Sequence, residues 1–274
     1  MLLHLFIVFA FAATEESSSV EEDGVVVNTV ECKCNAGSVT ISGNGEFTSQ
    51  DVKNSCKDSD GKECLWSSIN KVVFDGELEI GDGVFGIEFM EGPEKGISVE
   101  IKKSVKSIGN EVLSDAKKLY SVTIEGSSEL TIGDKFCYKA EELIKIEIGE
   151  VKSIGNDAFR DTYKIRPDNH NKLTITGKVG SIGDNFCQNP DTLEIVEITG
   201  TIGKIGKNAF QNANACHTFK YSGEEVTECP EGDSGFFGNA GAPYSSELTN
   251  PICDFNGVGS TVVMLFALIL FFLF

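Results

Sequence analysis

The chain contains no Asn-x-Ser or Asn-x-Thr sequence, only six prolines, one tryptophan and three histidines in 274 residues. Each shortage narrows what the protein can do. Without an ordinary sequon, only Asn54, Asn185 and Asn214 remain as the rarer Asn-x-Cys form, so its faces are expected to be bare of N-linked glycan. Setting aside His4 in an N-terminal apolar run, His170 and His217 are the only imidazoles left for proton transfer. His170 sits in the loop-like "RPDNHN", and His217 follows Cys216, where neighbours near a strand point to opposite faces and do not meet.

Basic residues are also few, 23 Lys and Arg against 42 Asp and Glu, and the net charge of −19 opposes both nucleic acid and anionic lipid as partners. Metal-ligand spacing is missing: Cys32-x-Cys34 and Cys56 with Cys64 do not fit a zinc pair. Asp58-Ser-Asp-Gly61 would put Cys56 and Ser67 where a calcium loop needs carboxylates, so it reads as a turn. No paired carboxylate or Ser-His set emerges either, and neither catalysis, a cofactor nor a metal is expected.

No apolar run reaches the ~20 residues of a helical membrane span. Leu2 to Ala12 suits a secretory signal over residues 1–12, cut between Ala12 and Ala13. Val262 to Phe274 is apolar to its last residue with no basic flank, which fits the removed tail (257–274) of a glycolipid-anchor signal. Asn256 or Asp254 would carry the anchor, with a short membrane helix as the alternative. The expected location is the extracellular face of the plasma membrane, reached through the secretory pathway.

Nine cysteines fit that oxidising route. They crowd the two ends, and Cys32, Cys34, Cys56, Cys64, Cys216 and Cys229 are expected in caps, with the pairing left open. Cys137 and Cys187 lie two repeats apart at equivalent places, ~9–10 Å if each repeat rises by one strand spacing. That is beyond a disulfide's reach, so they are expected as buried thiols.

What the sequence does have is a repeat. Ile-Gly recurs in step at Ile80, Ile108, Ile132, Ile154, Ile182 and Ile205, at spacings of 28, 24, 22, 28 and 23. Five residues after each Ile stands Phe85, Leu113, Cys137, Phe159, Cys187 or Phe210, with Phe136 and Phe186 just before the two cysteines. An apolar-x-apolar pair follows: Val99/Ile101, Val122/Ile124, Ile146/Ile148, Leu173/Ile175, Val196/Ile198 and Phe219/Tyr221, with Val72/Phe74 opening the series. Two repeats carry a five-residue insertion at one place, around Pro93 and around Pro167 to Asn171.

Apolar-x-apolar is a strand with one buried face, and a unit this short buries that face only by stacking on its neighbours. The expected fold is a strand-rich, α/β-type solenoid with one short parallel strand per coil and disulfide-rich caps. It is bounded as an N-terminal cap (13–68), a solenoid (69–223) and a C-terminal cap and linker (224–256). The glycine after Ile is expected to take a positive φ at a corner, and Asp82, Asn110, Asp134, Asn156 and Asp184 after it to serve turns or caps.

"SIGNDAF" (Ser153 to Phe159), "SIGDNFC" (Ser181 to Cys187) and "KIGKNAF" (Lys204 to Phe210) resemble the BspA-type leucine-rich repeat over about residues 69 to 223. Members of that family occur on the surfaces of bacteria and of protozoa that live on mucosal hosts. The resemblance implies a right-handed solenoid and adhesion to host cells, matrix or other microbes. Coil spacing is irregular in the second and third repeats, and Cys216 stands where Leu119, Leu143 and Leu193 stand in other coils.

The residue between each buried pair must point outward. Glu100, Thr123, Glu147, Thr174, Glu197 and Lys220, after Val73, therefore form a candidate ligand-facing row. Lys145, Lys172, Glu125 and Thr176 flank it. Mixed charges and hydroxyls without an aromatic stripe suit an extracellular protein or polar glycan better than lipid. The competing expectation is a surface coat that only self-associates.

Overall fold

The computed structural model describes residues 28–86, 96–162 and 171–223, positions 226 and 229, and the strand at 246–248. The expected signal peptide, the apolar tail, Asn256, Asp254 and the two insertions around Pro93 and His170 lie outside the described residues.

The chain opens with an antiparallel hairpin, β1 (Glu31–Asn35) and β2 (Ser38–Phe47), turned at Ala36 and Gly37 with φ of 44° and 84°. Two consecutive positive φ values match the right-handed twist of the flanking strands. A short helix α1 (Ser49–Asn54) and β3 (Cys56–Lys57) close this end. The Cys32–Cys56 disulfide staples β3 to β1, and Cys34–Cys64 ties the segment after β3 to the same strand. The following strands are β4 (Lys71–Ile80), β5 (Ile97–Ile101), β6 (Ser107–Ile108), β7 (Leu119–Ile132), β8 (Lys145–Ile154), β9 (Lys172–Ile175), β10 (Val179–Ile182), β11 (Ile195–Ile198), β12 (Ile202–Ile205), β13 (Thr218–Tyr221) and β14 (Ser246–Leu248).

These strands build a β-solenoid of about seven turns with almost no helix. Each coil carries two strands where one was expected. The first ladder runs β2, β4, β5, β7, β8, β9, β11, β13, β14, all parallel. The second joins the Ile-Gly segments, Ile80 to Ile108, Ile132, Ile154, Ile182 and Ile205. In β4, β7 and β8 a single continuous strand rounds the corner and serves both ladders. The first ladder also extends past residues 69 and 223: β2 pairs with β4 over ten residues from Ser38, and β14 pairs with β13.

The third side is a stack of turns. Asp157, Asn185 and Asn208 have φ of 55–57°, and Asp161, Asn189 and Asn212 have φ of 56–62°. Asn and Asp tolerate this region best after glycine. Their side chains add ladders of their own: Asn189 Nδ2 donates to Asp161 (2.8 Å), and Asn212 Nδ2 to Asn189 (2.7 Å).

The core explains why the second anchor alternates between Ala-Phe and Phe-Cys. In successive coils the adjacent positions hold Phe136–Cys137, Ala158–Phe159, Phe186–Cys187 and Ala209–Phe210, all fully buried. Each coil thus supplies one ring and one small residue in exchanged order. The rings stack edge to face along the axis at centroid distances of 5.5, 5.4 and 5.8 Å, a favoured aromatic geometry.

The glycines after Ile do not take a positive φ, contrary to expectation; Gly109, Gly133, Gly155, Gly183 and Gly206 are absent from that class. Close approach is the reason. A Cβ on Gly133 would lie 2.6 Å from the Gly109 carbonyl carbon, and one on Gly183 would lie 2.6 Å from that of Gly155. The Asp or Asn that follows is likewise not a helix cap. It forms a ladder along the solenoid: Asp82 Oδ1 accepts from Asn110 N–H, Asn110 from Asp134, Asp134 from Asn156, Asn156 from Asp184, and Asp184 from Lys207, at 2.6–2.9 Å.

Candidate functional site

The expected ligand-facing residues occupy one in-register row: Val73, Glu100, Thr123, Glu147, Thr174, Glu197 and Lys220. Strand pairing extends the row to Thr40 at one end and Glu247 at the other. Thr40 carries the same signal, lying between Val39 and Ile41, but within the segment expected to be cap. Nine rungs at ~4.8 Å make this face ~38 Å long. Lys71, Ser98, Ser121, Lys145 and Lys172 form a parallel flanking column.

The charges on this face are largely paired with one another. Glu100 lies 2.7 Å from Lys71 and 3.2 Å from Lys102, and Lys102 reaches Glu125 at 2.7 Å. Lys145 pairs with Glu147 at 2.9 Å and Lys172 with Glu197 at 2.5 Å. Ser121 donates to Ser98 at 2.9 Å, and Thr123 to Glu147 at 3.3 Å. The hydrogen bond from Lys71 is the largest influence holding the Glu100 carboxyl below its ordinary range, with partial burial opposing it. Lys102 is pushed up, first by Glu125 and then by Glu100. Lys71, Lys102, Lys145, Lys172 and Lys220 offset five of the six acidic residues Asp75, Glu100, Glu125, Glu147, Glu197 and Glu247. On a chain of net charge −19, a face so close to local neutrality is one that a partner of either sign can approach.

The other sequence-marked residues are structural. Cys32, Cys34, Cys56 and Cys64 pair at the N-terminal cap as described, and Cys229 is also disulfide-bonded. Cys216 is corrected: it is a buried free thiol at 4% exposure, not a cap disulfide partner. The place explains it, since Cys216 fills the interior position held by Leu119, Leu143 and Leu193, all fully buried. Cys137 and Cys187 are free and buried as expected. Burial pushes all three thiols up, Cys216 to about 11, so they remain neutral at physiological pH and are poor nucleophiles.

His217 points outward, 3.7 Å from Glu194, while the adjacent Cys216 points in. Asp58 anchors the expected turn: its Oδ1 accepts from the N–H groups of Asp60 and Lys62 at 2.9 Å. Among the described residues no three His, Cys, Asp or Glu side chains are placed to share a metal ion, and no helix is long and apolar enough to cross a membrane.

A strand-rich solenoid of stacked short coils is the class this geometry defines. Residues 89–217 match, in six copies, the family described as BspA type Leucine rich repeat region. The repeat region of this chain is therefore a BspA-type leucine-rich repeat, which suggests in general a surface or recognition protein. No curated protein and no solved structure matches the chain.

Proposed function

We propose that the chain is a cell-surface recognition protein that binds an extracellular protein or glycan through the first ladder face, as an adhesin rather than an enzyme. The observation that carries this reading is the in-register row Glu100, Thr123, Glu147, Thr174, Glu197 and Lys220, with Lys145 and Lys172 beside it. Shape supports it too: nine parallel rungs give a continuous face held by a rigid core, so a ligand would order few side chains on binding.

The test reverses two charges, Glu147→Lys and Glu197→Lys together. Each change abolishes a half-exposed ion pair worth about 0–1 kcal/mol, so the melting temperature should move little. Attachment to host cells or matrix should fall by about tenfold or more, because like charges then meet the ligand's complementary groups. Attachment equal to that of the parent would remove this face from consideration.

We also infer delivery through the secretory pathway and retention by a glycolipid, supported by the apolar segments Leu2 to Ala12 and Val262 to Phe274. Treating intact cells with a phosphatidylinositol-specific lipase should release the protein into the supernatant. Retention after treatment would favour a membrane helix. If the released material self-associates and binds no cell or matrix, the surface-coat function replaces the adhesin.

A further inference from the structure

The second ladder carries a separate polar trough. Ser107, Thr131, Ser153 and Ser181 stand in register along it, each half-buried. Unlike Ser98, Ser121 and Thr123 on the first face, their hydroxyls engage no side chain or backbone group among the described residues.

On the other side of the trough runs the ladder Asp82, Asn110, Asp134, Asn156, Asp184. One oxygen of each is spent on the next coil. What remains is a second carboxylate oxygen on each Asp, an acceptor, alternating with the NH2 group on each Asn, a donor. Gly109, Gly133, Gly155 and Gly183 form the floor, where any larger side chain would strike the preceding coil. At one end the trough widens into a depression of about 430 Å³ lined by Glu46, Glu79, Gly81, Asp82, Ser107 and Gly109. From Gly81 to Gly206 it spans six rungs, ~24 Å.

The chemistry selects among ligands. Floor N–H groups are already used, Gly109 on Ile80, Gly133 on Ile108 and Gly155 on Ile132, so an added peptide strand has no backbone donors to meet there. Carboxylates within the Asp-Asn ladder are two rungs apart, ~10 Å. Although Glu46 and Glu79 at the wide end are on adjacent rungs, no three His, Cys, Asp or Glu side chains among the described residues are placed to share a cation. The carboxylates of Glu46, Glu79, Asp82, Asp134 and Asp184 outnumber Lys204 and Lys207 at the far end and repel an anionic chain. Ile80 and Ile108 beneath the depression are only 2% exposed and offer little to lipid. Unpaired hydroxyls facing alternating donors and acceptors match a ligand that is itself a row of neutral hydroxyls. The rung spacing is close to the length of one sugar ring in a linear chain.

We propose that this trough binds a linear neutral glycan lying along the solenoid axis, at a site distinct from the first ladder face. The full-length protein would be titrated by calorimetry with neutral hexose and N-acetylhexosamine oligomers of increasing length and with a sulfated oligomer. Binding should strengthen with length for a neutral oligomer and be weak for the sulfated one. Filling the trough with Ser153→Tyr and Ser181→Tyr should cost at least about tenfold in affinity, and Ser153→Ala with Ser181→Ala should cost less, both with unchanged melting temperature. The Glu147→Lys, Glu197→Lys protein should bind the glycan as the parent does, which separates this site from the one proposed above. A folded parent that binds no neutral oligomer overturns the proposal. So does binding that survives both tyrosines, or binding lost in the Glu147, Glu197 variant, which would place the sugar on the first face.

Discussion

Phe159→Ala should lower stability by about 3–5 kcal/mol, the range for emptying a buried aromatic site. The ring is fully buried and meets Phe136 at 5.5 Å and Phe186 at 5.4 Å, both edge to face. Truncation therefore removes two aromatic contacts of about 0.5–1.5 kcal/mol each in addition to leaving a void, which favours the upper part of the range. The void cannot collapse easily. Parallel ladders fix the coils on either side, and both neighbours of Ala in the stack would have to leave their rotamers to fill it. In a domain of this size such a loss corresponds to a fall in melting temperature of roughly 6–20 °C. Coils contact only their neighbours, so unfolding of the variant should start around this coil and broaden the transition. Calorimetry or circular dichroism would show it, and a midpoint within a degree or two of the parent would contradict the stacked core.

The repeat is legible in the sequence because its signals are spaced far enough apart to survive degeneracy. Apolar-x-apolar pairs such as Ile146/Ile148 and Val196/Ile198 have both members buried, and the residue between them lies in the outward row. The second strand is not legible. In β6 it is only Ser107–Ile108, and its one buried residue is also the Ile of the Ile-Gly anchor. Two residues carry no period of their own.

The first coil escapes sequence reading for a different reason. Val39/Ile41 aligns with Val72/Phe74, and Phe47 stands opposite Ile80, but no Ile-Gly marks the place. The role of the Asp-Asn column is hidden because a ladder between coils and a turn within one coil ask for the same residues. Cys216 shows the converse limit: its cluster with Cys229 near the chain end suggests a cap, whereas its register with Leu193 places it in the core. Register is the better guide, since position in a solenoid coil sets burial directly.

Gly200→Ala should be as damaging as loss of a core ring, although it adds one methyl group. The Cβ would stand 1.9 Å from the Gly177 carbonyl oxygen, and Gly223 approaches Gly200 from the next coil in the same way. The obstacle is backbone, held by ladder hydrogen bonds at ~4.8 Å rung spacing, so relief requires parting two coils. Overpacking a well-filled core typically costs about 1–3 kcal/mol through side-chain adjustment, and here no side chain can move aside, so about 3 kcal/mol or more is expected. Gly61→Ala provides the contrast. Gly61 has φ of +75° and nothing within 4 Å of the position an added Cβ would take, so only the conformational cost of about 1–2 kcal/mol applies. Measured side by side by denaturant unfolding, Gly200→Ala should lose at least about 1.5 times the stability that Gly61→Ala loses. Equal losses would mean that this glycine column answers to backbone conformation after all, and that the coils are not pressed together at the corner where Gly149, Gly177, Gly200 and Gly223 meet.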